Sequence, residues 1–358
     1  MDKSTAIKKG RSLSSSIGLL DSGEGHKLEK LAKEGLSICL PFRHDEEGKE
    51  LTIDFYNYLM FMFNIVGDGA EGFKYLIQAR QVVEEVGDES DRVKWLSFLE
   101  DILPFAAESS MLSNDELDAL IQELKEDVDE PTRKMLKFSI VLLETYQKRE
   151  RHQEIAELMD EIDPSSFKLN NISVGCKLCD QMQLVKTFSV IGNIDDAKSV
   201  MQEVAGASKY YCARSPHIGL VYLLDHFVEK EELEEATFYA TMLAESIDYF
   251  WEGSIWMANP LFAYQAKTGD VENALVWLNR FGAQMKESTM MIQKIKFYRS
   301  AVTLMDELRA AGKSHIETLK FKVLVRKKED GYPVAALSTY FGGLLAEAEK
   351  TWAQILSN

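Results

Sequence analysis

The chain has 358 residues, 46% hydrophobic and 28% charged, which is too apolar for general disorder and long enough to bury a large core. Its formal net charge of −17 argues against a broad nucleic-acid surface, because phosphate binding depends on Lys and Arg displacing condensed counterions. Four cysteines, Cys39, Cys176, Cys179 and Cys212, are too few and too scattered for the disulfide framework of a small secreted domain, so a reducing, cytoplasmic setting is expected. Only seven prolines occur, Leu, Glu, Lys, Ala and Met are plentiful, and β-branched runs are scarce, so an all-α fold is expected.

In chain order, residues 1–25 are basic, Ser-rich and nearly free of acids, and read as a flexible or partly helical tail. They lack the apolar core of roughly 7 to 15 residues that a signal peptide needs. The most apolar run, Tyr58 to Val66, is far short of the ~20 residues required to cross a bilayer, so no membrane anchor is expected. The acidic runs at 45–50 and 125–131 read as solvated loops.

From residue 51 onward a frame recurs. Leu143 and Ala156, Leu184 and Ala197, Leu223 and Ala236, and Leu261 and Ala274 are each separated by thirteen residues, and the Ala positions follow one another at 41, 39 and 38 residues. Phe188 and Phe227 lie four residues after their Leu, and Gly192 and Gly269 stand in the turns IGNIDDA and AKTGDVENAL. Weaker copies run through Leu59, Phe63, Gly67 and Gly72, and through Leu304, Leu308, Gly312 and Glu317, with room for another around Ala119.

The frame describes two antiparallel helices joined by a tight turn. Leu and the residue four later share the face of the first helix that meets the second. Gly ends that helix because it reaches the left-handed conformation without a Cβ clash, and Asp or Asn beyond it caps the next. The small residue lets the two helices approach closely. Hairpins of this period bury their remaining apolar faces by stacking, which predicts an α-solenoid of six to seven hairpins over residues 26–330. After the break at EDGYP, residues 331–358 read as a C-terminal capping helix.

The order of Leu, an aromatic, Gly and Ala resembles the tetratricopeptide repeat over roughly residues 51–330, and AKTGDVENAL by itself also resembles a pentatricopeptide repeat. Three features depart from the first family, one of them the absence of its proline at the end of the repeat. Its repeats run ~34 residues, and the small residue it carries just after the Leu is here Val185, Leu224 or Phe262. The resemblance implies a protein-protein interaction or scaffolding module that holds a peptide or protein segment against the first helix of each hairpin. The inward positions it nominates are Asn57, Lys186, Asp225, Trp256, Asn259 and Arg299.

An enzyme should present polar groups suited to one reaction. The sequence has no phosphate-cradling Gly-rich loop followed by Lys, no His-Glu-x-x-His helix and no Gly-x-Ser-x-Gly turn, and its six histidines are dispersed. Neither catalysis nor a cofactor is expected. Cys176 and Cys179 lack two further ligands at a recognisable spacing and read as buried thiols one helical turn apart, so no metal is expected either. Asp195 and Asp196 read as a helix cap and first turn. The segment FWEGSIW, 250–256, either fills a gap between hairpins or lines a partner groove.

One region contradicts the overall acidity. From Lys286 to Lys328 eleven Lys or Arg face four Asp or Glu, an excess of +7 that leaves about −24 elsewhere. Two readings stand open, a solvated helix face and a docking patch for RNA or another anionic partner, with net charge against the nucleic acid.

Overall fold

The computed structural model describes residues 1–20, 25–66, 69–127, 136–161, 177–206, 217–247 and 255–357. Among these the protein is all-α, with sixteen α-helices, one short 3-10 helix and a single two-residue strand pair. They form two compact units, one from the described residues up to 127 and one from 136 onward. The division falls inside the stretch read from sequence as one array.

The first unit contains α1 (Lys3–Ile17), α2 (Gly25–Cys39), α3 (Glu46–Val66), α4 (Gly69–Val86), α5 (Glu89–Ala107) and α6 (Asn114–Asp127), each packed on its sequence neighbour. Residues 3–17, read as a tail, are a docked helix. The Asp2 side chain accepts from the Thr5 N–H at its start, and Ala6, Ile7, Gly10 and Ile17 supply one buried stripe. Gly10 permits the close approach, since a Cβ there would lie 2.5 Å from Cys39 Sγ. The basic residues that suggested a tail pair instead with acids of neighbouring segments: Lys3 with Asp45, Lys9 with Glu34 and Arg11 with Glu47. Deeper in the unit, the buried Lys49 Nζ joins the start of α3 to the capping box of α5, 3.1 Å from Asp88 and 2.9 Å from Asp91.

The second unit repeats one construction. Its helices are α7 (Leu136–Lys148), α8 (His152–Glu161), α9 (Lys177–Val190), α10 (Ile194–Gly206), α11 (His217–Glu229), α12 (Leu233–Ile247), α13 (Ile255–Lys267), α14 (Val271–Glu287), α15 (Met291–Ala310) and α16 (Val334–Ser357). Helices α7 and α8, α9 and α10, α11 and α12, and α13 and α14 form hairpins. The first helix of each packs on the first helix of the next, and α13 packs on α15.

Each first helix ends in the same way. Glu150, Gly192, Glu231, Gly269 and Gly312 have positive φ and lie 42, 39, 38 and 43 residues apart. The following N–H reaches back to a helix carbonyl five residues earlier: Arg151 to Tyr146, Asn193 to Phe188, Glu232 to Phe227, Asp270 to Gln265 and Lys313 to Leu308, all at 2.8–3.0 Å. This left-handed stop satisfies carbonyls the helix leaves open. The Leu eight residues before it is buried in every copy, as are Ala197, Ala236 and Ala274 five residues after it.

Two copies differ from the sequence frame. In α7 and α8 the left-handed residue is Glu150, which puts the frame on Leu142 and Ile155. Ala156, one residue on, is exposed. After Gly312 no second helix follows, and Glu317 is exposed. The chain instead forms a non-helical excursion, closed by the antiparallel pair of β1 (His315–Ile316) and β2 (Tyr332–Pro333), before α16 returns along α15. Phe321 and Val323 point inward while Lys322, Leu324 and Arg326 point outward, so alternation of period two overrides the helical frame there.

A continuous apolar core runs from α7 to α16. Val185, Leu224 and Phe262, which stand where the resembled family carries a small residue, are fully buried in it, and Phe262 packs on Phe297 of α15 with ring centroids 5.3 Å apart. At this position a large residue packs against the next first helix.

Candidate functional site

The first helices of the second unit share a register position two residues after the frame Leu. It carries Glu144 on α7, Lys186 on α9, Asp225 on α11 and the small Ala263 on α13. Lys186 Nζ lies 2.7 Å from Glu144 Oε2 and 5.4 Å from the Tyr222 ring, while the Tyr222 hydroxyl donates to Glu144 Oε1 at 2.7 Å and Lys148 stands 3.4 Å away. Glu144 is buried, which by itself raises a carboxyl pKa. The charges of Lys186 and Lys148 and the Tyr222 hydrogen bond outweigh burial and bring it down to about 2.

Farther along, Lys296 of α15 reaches α11. Its Nζ is 2.5 Å from Asp225 and 2.8 Å from Glu229. Burial opposes the ammonium, but the two carboxylates prevail and hold its pKa above the ordinary lysine value; burial likewise works against Glu229, and Lys296 keeps that carboxyl low. Ion pairs thus join α7 to α9 and α11 to α15, and Tyr222 of α11 connects the two sets through its ring beside Lys186 and its hydroxyl on Glu144.

The other nominated residues fall at different depths. Asn259 is 1% exposed and gives its amide N–H groups to the Gln293 carbonyl and side chain at 2.9 Å, inside the contact of α13 with α15. Trp256 is partly buried against the core. Arg299, 62% exposed, pairs with Glu349 of α16 at 3.0 Å. Asn57 is partly buried on α3, in the other unit. Thus Lys186, Asp225, Trp256 and Arg299 lie on first helices of one unit with part of each side chain accessible, and Asn259 lies beneath them. Glu144 and Tyr222 were missed by the sequence reading, and Lys296 was counted there only within the basic segment 286–328. The Leu142 frame would have exposed the first, by aligning it with Lys186 and Asp225.

The basic region divides. In its helical half Lys294 donates to the Lys286 and Ser288 carbonyls, Lys296 and Arg299 are paired as above, and Arg309 meets Asp306. In its non-helical half Lys313, Lys320, Lys322, Arg326 and Lys328 are exposed with no acidic partner among the described residues. Cys176, Cys212, Phe250 and Trp251 lie outside the described residues. Among those described, no group of three or more His, Cys, Asp and Glu side chains is placed to hold a metal ion, and no helix is long and apolar enough to cross a membrane. No known protein-family model matches the chain, and no curated protein matches it.

Proposed function

We propose that the second unit is a divergent tetratricopeptide-like α-solenoid that binds a peptide or protein segment along the accessible side of its first helices, as an interaction or scaffolding module. The observation that carries this reading is the shared register of Glu144, Lys186 and Asp225. Glu144 and Lys186, at equivalent positions on consecutive first helices, meet across their hairpin boundary, and Asp225, at the next equivalent position, meets Lys296 from the first helix beyond α13, so the first helices carry charged groups along their length. Positive and negative groups alternate along this side, and its outer members, Glu229, Arg299 and Glu349, are about half exposed or more. Such a track suits a polar, extended segment better than a small apolar ligand.

Photo-crosslinking of full-length protein in native extract tests the reading. A benzoylphenylalanine replacing Arg299 or Glu229 on the first helices should capture a polypeptide, whereas one replacing the exposed Val276 on α14 should not. Equal capture from α14, or none from either first helix, would remove the first-helix surface from consideration.

A further inference from the structure

The unpaired cations of the non-helical excursion lie outside the first-helix surface. Residues 321–326 alternate strictly, with Phe321 and Val323 buried, Val325 partly buried, and Lys322, Leu324 and Arg326 exposed. The chain bends at Leu324 and Val325, so these exposed side chains share one side without the even spacing of a strand. Lys320 extends the row at one end, and the turn closed by the Lys328–Gly331 bridge adds Lys327 and Lys328 at the other. Leu324 sits in the middle of these cations and is 80% exposed, more than any other large hydrophobic side chain described beyond residue 19.

The underside is held firmly. Phe321 occupies the space left by Gly282, where a Cβ would lie 2.4 Å from its ring, and it also contacts Phe341. Lys286 Nζ donates to the Lys322 carbonyl at 2.9 Å, and the Lys320 N–H donates to Asn279 Oδ1 at 2.7 Å. The row is therefore fixed before any partner arrives, which lowers the ordering cost of binding.

We infer that residues 320–328 form a second docking surface, which takes an acidic peptide segment lying along it, with carboxylates on both sides of an apolar side chain that covers Leu324. Three observations select this occupant. The cations stand in a row of one sign with no internal counterion, and the acids Glu329 and Asp330 close its end. A single-stranded nucleic acid would need an exposed aromatic platform. The segment's aromatics are instead used internally, Phe321 in the core and Tyr332 partly buried with Lys327 Nζ 5.6 Å from its ring centre. A broad anionic membrane would face the rest of a chain of net charge −17, whereas a short acidic segment meets only the local row, since charges farther than about 8 Å are screened at physiological salt.

Fluorescence anisotropy on the full-length protein tests the inference with a labelled peptide carrying Glu at alternate positions around one Val. The peptide should bind in low salt and weaken as salt rises. A peptide of the same composition with its Glu residues blocked at one end should bind several-fold more weakly. The triple change Lys320→Gln, Lys322→Gln and Arg326→Gln should weaken binding about tenfold or more, and Leu324→Ser several-fold, both with unchanged circular dichroism and melting temperature. Reversal of Arg299, on the first-helix surface, should leave this binding in place, which separates failure here from failure of the first-helix reading. Indifference to the triple change, or tighter binding of oligouridylate or of phosphatidylserine vesicles than of the alternating peptide, would overturn the inference.

Discussion

The two halves of the segment from Lys286 to Lys328 carry similar numbers of cations, five up to Gly312 and six beyond it, and use them in opposite ways. On α15 the cations are consumed inside the protein: Lys296 joins α15 to α11, Arg299 joins it to α16, and Lys294 fastens the preceding turn. In the excursion beyond Gly312 they point outward without counterions. Local charge density therefore does not identify a binding surface. What distinguishes the halves is whether an acid lies within reach in the fold, and for Lys296 that acid is 71 residues away.

The paired class should dominate stability. Replacing Glu144 by Gln leaves Lys186 and Lys148 without their counter-charge in a buried site and should cost about 3 kcal/mol in denaturant unfolding. The same carboxyl predicts an acid limb. Its pKa is about 2 in the folded protein and 4.5 ordinarily, so the stabilisation is fully present above about pH 4.5 and is lost as the pH falls toward 2. The wild-type protein should therefore lose more stability across that window than Glu144→Gln; equal losses would show that the pair is not formed. Lys296→Met, at a less buried site, should cost about 2 kcal/mol by leaving Asp225 and Glu229 facing each other.

The turns supply a smaller and signed effect. Gly192→Ala meets no atom within 4 Å and should cost about 1 kcal/mol through backbone conformation alone, whereas Glu231→Gly, at φ 61°, should stabilise by a few tenths to about 1 kcal/mol. Thermal melts showing the same sign for both changes would contradict the common left-handed stop. Last, the triple Gln change in the excursion should move stability by no more than about 0.5 kcal/mol, because those cations contact nothing acidic. A larger loss would place that row among the structural charges.

Much of the helical framework was legible because the turn chemistry is local. Gly192, Gly269 and Gly312 announce a left-handed residue by their type, and their Leu, eight residues earlier, is buried in each copy. Glu150 adopts the same conformation without advertising it, which displaced the first frame by one residue and hid the alignment of Glu144 with Lys186. The N-terminal helix was obscured by composition: its Ser and Lys residues suggested a tail, and only the spacing of Ala6, Ile7, Gly10 and Ile17 revealed a packed stripe. The excursion was legible in principle, since FKVLVR alternates with period two, but the helical frame at Leu304 and Gly312 was extended across it. Of the candidate site, the first-helix residues were reached through register, and the ionic partners were not, because Asp225 and Lys296 meet only through tertiary packing.

The most direct test of the stacked arrangement is a double-mutant cycle between Asp225 and Lys296, using Asp225→Asn, Lys296→Met and the pair, read by urea unfolding at neutral pH. The two residues lie on first helices separated by α13, so they couple only if α11, α13 and α15 stack side by side. A coupling energy of about 1 to 3 kcal/mol is predicted. Additive losses, with coupling indistinguishable from zero, would contradict the stacking on which the proposed first-helix surface depends.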